Sequence, residues 1–172
     1  MLTEALIQEF EQESATTRRV LERVPQDRLT WKPHAKSMSI GVLAMHVAAT
    51  PAFIAEWAIK DSVEMSGPMD PTPQPKTTAE VLAAHDEGVK KTKAALTSIG
   101  DAGLQKAWKL VSKDGATIMG TPKVALVRAI ALNHTYHHRG QLSVYLRMLD
   151  VPVPSIYGPS ADENPFAAPP KA

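Results

Sequence analysis

The chain has 172 residues, of which 44% are hydrophobic, so it can bury one substantial core but is short for two typical domains. Its 19 Lys and Arg residues are balanced by 18 Asp and Glu residues, and a formal net charge of +1 gives no sign of a nucleic-acid or anionic-membrane partner. Cysteine is absent, which excludes disulfide bonds, Cys-ligated zinc and a thiol nucleophile supplied by the chain. Any bound metal must therefore use nitrogen and oxygen ligands.

Targeting and membrane signals are not evident in the sequence. The N-terminus lacks a basic region followed by a long apolar run, and no apolar stretch of about 18 residues occurs downstream. We therefore expect a cytoplasmic protein that makes no membrane contact.

Apolar residues at helical spacing predict the first two helices. The first covers about residues 2–23 and must end before Pro25, because proline cannot continue the helical hydrogen bonds. Prolines bound the following connector, in which we expect Trp31 to pack on the core. Ser37 or Ser39 can cap the second helix, and Pro51 inside that helix predicts a kink.

A long connection and a third helix follow. Residues 61–76 contain four prolines, which predicts an extended surface crossover that can span a bundle. Thr77 and Glu80 form a capping-box pattern at the start of the third helix, and Gly100 is expected to end that helix.

The periodicity is unclear over residues 101–120. Apolar residues before the dipeptide Asp114-Gly115 suit a short hairpin arm, which by itself would not alter the fold class. Thr121 as N-cap, with Pro122 at the first helical position, predicts a last and longest helix that runs to about Leu149.

Together these elements predict an all-α protein. The architecture is a four-helix bundle of the up-and-down type, with a long Pro-rich crossover between the second and third helices. We expect one domain over residues 1–163 and a loose C-terminal tail over residues 164–172. Residues 157–163 carry many polar and turn-forming side chains, so we expect them to fold back onto the bundle with Tyr157 as the anchor.

Histidines on the last predicted helix carry the chemistry. His134 and His138 are four residues apart, so their side chains share one helix face and both can reach one ion. The same face continues to Gln141 and Tyr145, which are candidates to contact a ligand histidine or a bound water. His137 lies three residues from His134, and from spacing alone it remains an alternative to His138.

A third imidazole is available on the second predicted helix. On that helix His46 is the position that matches the histidine face of the last helix, and Trp57 follows on nearly the same face as a further candidate lining residue. Three neutral histidines from two facing helices can hold a metal ion and leave a position open for water or substrate. A set of packed polar core residues is the alternative. His34 and His85 stand alone in the pattern, and we do not expect them to contact the metal.

Two motifs point to a known family. The run His-Thr-Tyr-His-His-Arg-Gly-Gln-Leu at residues 134–142 and the run Ser-Ile-Gly-Val-Leu-Ala-Met-His at residues 39–46 resemble the paired motifs of the DinB-like superfamily of metal-binding bundles. The resemblance covers nearly the whole chain, to about Glu163. It implies that His46, His134 and His138 are the metal ligands, and it favours His138 over His137.

The resemblance implies a class of site rather than a reaction. We expect one divalent transition metal ion, zinc or nickel in the first place, with iron, cobalt or copper also suited to three imidazoles. A metal-dependent thiol transferase or hydrolase acting on a small molecule, with a low-molecular-weight thiol as possible co-substrate, is the first functional hypothesis. A non-catalytic metal-binding or stress-associated protein is the alternative. The catalytic residues are unknown.

Peptide hydrolysis is disfavoured, because the chain has no His-Glu-x-x-His motif. Nucleic acid is not expected as a partner, since no basic helix or interleaving of aromatic and basic residues is present. Because bundles of this superfamily commonly pair, we expect a homodimer.

Overall fold

The computed structural model describes residues 1–167, which form helices and one small sheet. In chain order the elements are α1 (Leu2–Leu21), a 3-10 turn (Gln26–Arg28), α2 (Ile40–Ile59), β1 (Ser62–Met65), α3 (Thr78–Leu104), β2 (Ala107–Ser112), β3 (Thr117–Pro122), α4 (Lys123–Leu126), a π-helical segment (Val127–Asn133) and α5 (His134–Met148). The last three follow one another without a break and make up the fourth long helix of the bundle.

The all-α prediction is wrong, because the four helices are joined by a three-stranded mixed sheet. Strand β1 pairs in parallel with β2, with Val63 opposite Leu110. Strands β2 and β3 form the expected antiparallel hairpin, with Trp108 opposite Thr121. The hairpin alone would have left the fold class unchanged. Strand β1, which lies in the segment expected to be an irregular crossover, turns the hairpin into a sheet.

Helix α2 begins where the sequence indicates. The Ser39 side chain accepts a hydrogen bond from the Val42 amide at 3.2 Å, so Ser39 rather than Ser37 is the N-cap. The helix continues through Pro51 to Ile59. By length and mean hydropathy it is also long and apolar enough to cross a membrane, contrary to our expectation from the sequence. Half of that apolar window is buried inside the domain, as in the core helix of a soluble protein.

Helix α3 starts at the predicted cap. The Thr77 hydroxyl accepts a hydrogen bond from the Glu80 amide at 3.1 Å, and the Glu80 carboxylate accepts one from the Lys76 amide at 2.8 Å. Gly100, the predicted end, has φ 63° and ψ 174°, which interrupts the helix before it resumes up to Leu104. Only glycine readily adopts this backbone conformation.

The fourth helix begins later than expected. Thr121 and Pro122 belong to β3, and Pro122 rather than Thr121 is the N-cap of α4. Lys123 opens the helix with a buried side chain, whose ammonium group donates to the Ile59 carbonyl at 3.1 Å and pairs with Asp61 at 2.8 Å. This lysine therefore joins the start of the fourth helix to the end of α2.

Buried side chains form two hydrophobic clusters, one towards each end of the bundle. The first includes Val20, Leu21, Leu43, Val47, Val81, Leu142 and Leu146, and the second includes Leu6, Phe10, Ile54, Leu96, Leu104, Trp108, Leu126 and Leu132. Trp31 packs against the first cluster, as predicted. Trp108 is fully buried in the second, and its indole N–H donates to the Trp57 carbonyl at 3.1 Å. The small sheet is thereby fixed to α2.

Arg139 is the largest charged side chain that is fully buried among the described residues. Its guanidinium donates to the Glu13 carboxylate at 2.7 Å, to the Thr17 hydroxyl at 3.0 Å and to the Tyr157 hydroxyl at 2.6 Å. Arg139 is therefore an ion-pair and packing residue that ties α5 to α1. Its neighbour Gly140 faces open space, because a Cβ atom there would meet nothing within 4 Å among the described residues.

The segment after α5 folds back onto the bundle, as predicted. Asp162 accepts a hydrogen bond from the Val153 amide at 2.8 Å and pairs with Arg147. Tyr157 also donates from its hydroxyl to Glu13 at 2.9 Å, but 71% of the residue is exposed. The anchor is therefore the tyrosine hydroxyl rather than a buried ring. The loose tail predicted for residues 164–172 lies partly outside the described residues.

Candidate metal centre

Three histidines from two packed helices meet at one point of the bundle surface. His46 lies in the N-terminal half of α2, and His134 and His138 occupy the first and second turns of α5. One ring nitrogen from each of the three lies within 4.8 Å of the other two. The three side chains are half-buried, so the cluster has both a protein wall and access to solvent.

The ring geometry is close. His46 Nε2 lies 2.9 Å from His134 Nε2. The ring centroids of His46 and His138 are 4.7 Å apart, and those of His134 and His138 are 4.4 Å apart. Two imidazole nitrogens at hydrogen-bond distance either share a proton or face a common electrophile. Three such rings are a recognised donor set for a divalent transition metal ion.

The outer nitrogens of two rings have oxygen partners. His46 Nδ1 lies 3.1 Å from the Thr72 hydroxyl and 3.5 Å from the Thr50 hydroxyl. His138 Nδ1 lies 2.7 Å from the Gln141 side-chain oxygen. An amide oxygen can only accept, so His138 donates from Nδ1 and keeps the lone pair on Nε2. Such partners fix the orientation of a ligand imidazole.

The environment favours the neutral form of all three imidazoles. Burial, and then the neighbouring rings of His138 and His134, lowers the pKa of His46 from 6.5 to about 4. Burial is also the main cause that lowers the pKa of His134 and the pKa of His138, although the bond to Gln141 opposes it at His138. A metal ion binds the neutral imidazole, so these shifts reduce competition from protons near neutral pH.

The other residues predicted to line the site differ in position. Gln141 contacts His138, as expected of a residue behind a ligand. Tyr145 packs edge-on against Trp31, with the ring centroids 5.7 Å apart. Trp57 stacks on Trp108, with the ring centroids 6.0 Å apart. Eleven residues of helix separate Trp57 from His46, which corresponds to about 16 Å along the axis. Trp57 also packs against Phe53, with the ring centroids 4.7 Å apart. Among the described residues, the aromatic contacts of Tyr145 and Trp57 are thus with Trp and Phe rings rather than with the three histidines.

The remaining histidines stand outside the cluster. His137 is exposed and only its ring edge approaches His138, with the centroids 4.9 Å apart. His85 is buried, and its Nδ1 lies 3.5 Å from Asp86. His34 is exposed and its Nδ1 accepts from the Lys36 amide at 3.1 Å. The structure thus brings together the three histidines that the motif resemblance selected.

Thr72 is the part of the site that sequence reasoning missed. It lies in the Pro-rich crossover, which has no helical or strand period to relate it to α2. Its only sequence signal is a polar side chain held between two prolines, and that pattern does not indicate which helix the segment crosses.

Comparison with known proteins identifies the family. The sequence model of the DinB family matches residues 1–168. The chain belongs to the DinB family. This DinB-family chain is 24% identical over 159 residues to the uncharacterized protein YrdA of Bacillus subtilis, an alignment that covers 91% of this chain and 89% of YrdA. It is 27% identical over 144 residues to the uncharacterized protein YjoA of the same organism, with coverage of 83% and 87%.

Two solved structures of DinB-like proteins share the fold of this DinB-family chain. The protein from Bacillus cereus superposes with a TM-score of 0.70 at 22% sequence identity and covers 90% of this chain and 97% of its own. YjoA from Bacillus subtilis superposes with a TM-score of 0.65 at 19% identity and covers 86% and 95%. At these identities the likeness establishes the fold alone.

Proposed function

We propose that this DinB-family protein binds one divalent transition metal ion through His46, His134 and His138 and uses it in an enzymatic reaction on a small molecule. The observation that carries the proposal is the meeting of three half-buried imidazoles at one point, with Nε2 of His46 and His134 2.9 Å apart. Zinc and nickel are the favoured ions, and iron, cobalt and copper also accept an all-imidazole donor set.

The proposed ligands carry no negative charge, which favours binding of an anionic substrate atom to the metal ion. The three proposed ligands are uncharged, and so are the residues behind them, Thr72 and Gln141. A divalent ion held by such a donor set with an open position lowers the pKa of a water or thiol that binds there. We propose a low-molecular-weight thiol as co-substrate, because a soft thiolate suits an ion whose charge the protein leaves uncompensated.

Thiol transfer is favoured over hydrolysis. Within residues 1–167 the cluster consists of histidines alone, with no carboxylate to act as a general base towards water. A thiol needs less help, because its free pKa is already close to neutral. The competing proposal is a protein that binds the ion without turnover.

Elemental analysis of protein purified without a nickel column tests the metal site. We expect about one divalent ion per chain, and its loss in His46→Ala and in His138→Ala. Both variants should remain helical by circular dichroism, because hydrophobic packing and not the ion supplies most of the stability. The exposed neighbour His137→Ala is the matched control and should keep the ion. Full metal content in either ligand variant would refute the assignment.

A screen of small thiols against electrophiles then separates the two functional proposals. Turnover that depends on both thiol and metal, and that is lost in His46→Ala, supports the transferase. Metal binding without turnover across the screen supports the non-catalytic alternative.

Assembly and location are further proposals. We propose that the protein is a homodimer and that it acts in the cytoplasm on a small molecule, without nucleic-acid or membrane partners. A monomeric mass by light scattering at micromolar concentration would contradict the dimer.

A further inference from the structure

A short strap formed by residues 71–75 of the crossover lies along the N-terminal half of α2. Thr72 reaches His46, where its hydroxyl lies 3.1 Å from Nδ1. Two residues later, Gln74 accepts a hydrogen bond from Ser39, the N-cap of α2, at 2.6 Å. The strap therefore contacts α2 both at its start and at His46, more than one helical turn further on.

Gln74 is the anchor of the strap. Besides accepting from Ser39, its amide group donates to the Leu29 carbonyl at 3.1 Å, which ties the strap to the connector before α2. A Cβ atom at Gly41 would lie 2.6 Å from the Gln74 amide nitrogen and 2.7 Å from the Leu29 oxygen. Glycine at position 41 is thus required for this close packing, and Pro75 is buried at the end of the strap.

Two prolines stiffen the strap around Thr72. Pro71 has its own φ fixed by the ring, and Pro73 restricts the preceding residue to extended conformations. Few backbone states are therefore lost when the Thr72 hydroxyl is held against His46. A partner that is ordered before the ligand binds costs less free energy to use than a flexible one.

The hydrogen bonds of the Thr50 hydroxyl indicate which ring nitrogen of His46 carries the proton. Thr50 donates its single hydroxyl hydrogen to the His46 carbonyl at 2.6 Å. Its oxygen can therefore only accept from His46 Nδ1, which is 3.5 Å away. A lone pair on Nδ1 would face this oxygen unfavourably, whereas an N–H at Nδ1 is compatible with both Thr50 and Thr72.

We propose that Thr72 is a positioning residue that holds His46 with its proton on Nδ1 and its Nε2 lone pair directed at the metal centre. The proposal rests on the proposed metal-binding function. Gln141 does the same for His138 from within α5, so two of the three rings are oriented by partners on different parts of the chain. The strap thereby links the path of the crossover to the affinity of the site.

The decisive variant is Thr72→Val, which keeps the shape of the side chain and removes the hydroxyl. We expect its zinc affinity, measured by competition with a chromophoric chelator, to fall about 10-fold to 100-fold, as for other partners of ligand histidines. Thr72→Ser should restore most of the affinity. Thr97→Val is the matched control, because it removes an exposed hydroxyl that bonds only to its own helix.

Nitrogen NMR of the histidine rings in metal-free protein provides a readout that does not depend on the metal. We expect His46 to carry its proton on Nδ1 in the wild type and in Thr72→Ser, and to lose that preference in Thr72→Val. Unchanged zinc affinity in Thr72→Val, or a wild-type His46 protonated on Nε2, would overturn the proposal. If the wild type binds none of zinc, nickel, iron, cobalt and copper, the proposed function fails, while the NMR measurement still decides the role of Thr72.

Discussion

His46 Nε2 lies 2.9 Å from His134 Nε2, although the two residues are 88 positions apart in the chain. Such a contact between two basic nitrogens is unfavourable when both rings are protonated, because the charges would be close and partly removed from water. The same contact is favourable when an ion or a single shared proton lies between the rings. The fold thus holds these two imidazoles in an arrangement that disfavours their protonated forms.

The first prediction concerns stability against pH in the metal-free protein. His46 has a pKa of about 4 in the fold and about 6.5 when unfolded, so the unfolded chain binds more protons between these values. The free energy of unfolding should therefore be highest above about pH 6.5 and fall as the pH drops towards 4. Urea unfolding at a series of pH values measures the slope.

The control for this prediction is a comparison of slopes. His46→Gln should make the dependence between pH 4 and 6.5 shallower, whereas Thr97→Val, which changes an exposed side chain that does not titrate, should leave it unchanged. Equal slopes in wild type and His46→Gln would contradict the prediction.

A second prediction concerns the buried ion pair. Arg139 has 1% of its side chain exposed and Glu13 has 19%. Glu13→Ala leaves the guanidinium buried without its carboxylate and should reduce the free energy of unfolding by about 3 kcal/mol. On the same helix, Glu11→Ala removes an exposed ion pair with Lys93 and should cost less than about 1 kcal/mol. Chemical denaturation of both variants measures the two losses in the free energy of unfolding. Equal losses would contradict the prediction.

The third prediction is that one substitution has opposite effects at two glycines. Gly100→Ala places a side chain at φ 63° and ψ 174° and should destabilise the protein by about 1–3 kcal/mol. Gly140→Ala lies inside α5 facing open space and should stabilise it by about 0.5–1 kcal/mol. Melting temperatures measure both effects. A loss of stability in Gly140→Ala would instead indicate a contact at that surface, as the proposed dimer would supply.

The fourth prediction concerns the docked segment after α5. Truncation before Ser155 removes a buried residue, the Tyr157 hydroxyl contacts and the Arg19 contact to the Ser155 carbonyl. We expect the melting temperature to fall by several degrees, given about 2–4 °C per kcal/mol for a chain of this size. Tyr157→Phe alone should cost about 1 kcal/mol, since it removes only hydrogen bonds. An unchanged melting curve after truncation would contradict docking.

Much of the helical framework and the histidine cluster follows from local sequence signals. Ser39 and Thr77 mark helix starts because their side chains satisfy free amides within three residues. His134 and His138 share a face because of helical geometry alone. Helical spacing offered His46 as a candidate third ligand, and the motif resemblance selected it, since no local rule relates residues so far apart in the chain.

The sheet and the strap depend on contacts that no local pattern specifies. Strand β1 is only four residues long, and its parallel pairing with β2 joins Val63 to Leu110, far apart in sequence. The polar side chain of Thr72 looks like any other loop residue until the fold places it on His46. The late start of the fourth helix also depends on a contact of this kind. Pro122 is paired with Ala107 at the end of β3, so the helix begins only after it.

The π-helical segment Val127–Asn133 ends immediately before His134. A π turn holds more residues than an α turn, so it rotates the side chains of α5 about the helix axis relative to those of α4. The upstream part of the helix is fixed by Lys123 to the end of α2, while the downstream part presents the histidines. The π-helical segment therefore sets the rotation of α5 relative to α4 about the common helix axis. As a result, Lys123 at one end of this helix and the histidines at the other end can both face α2.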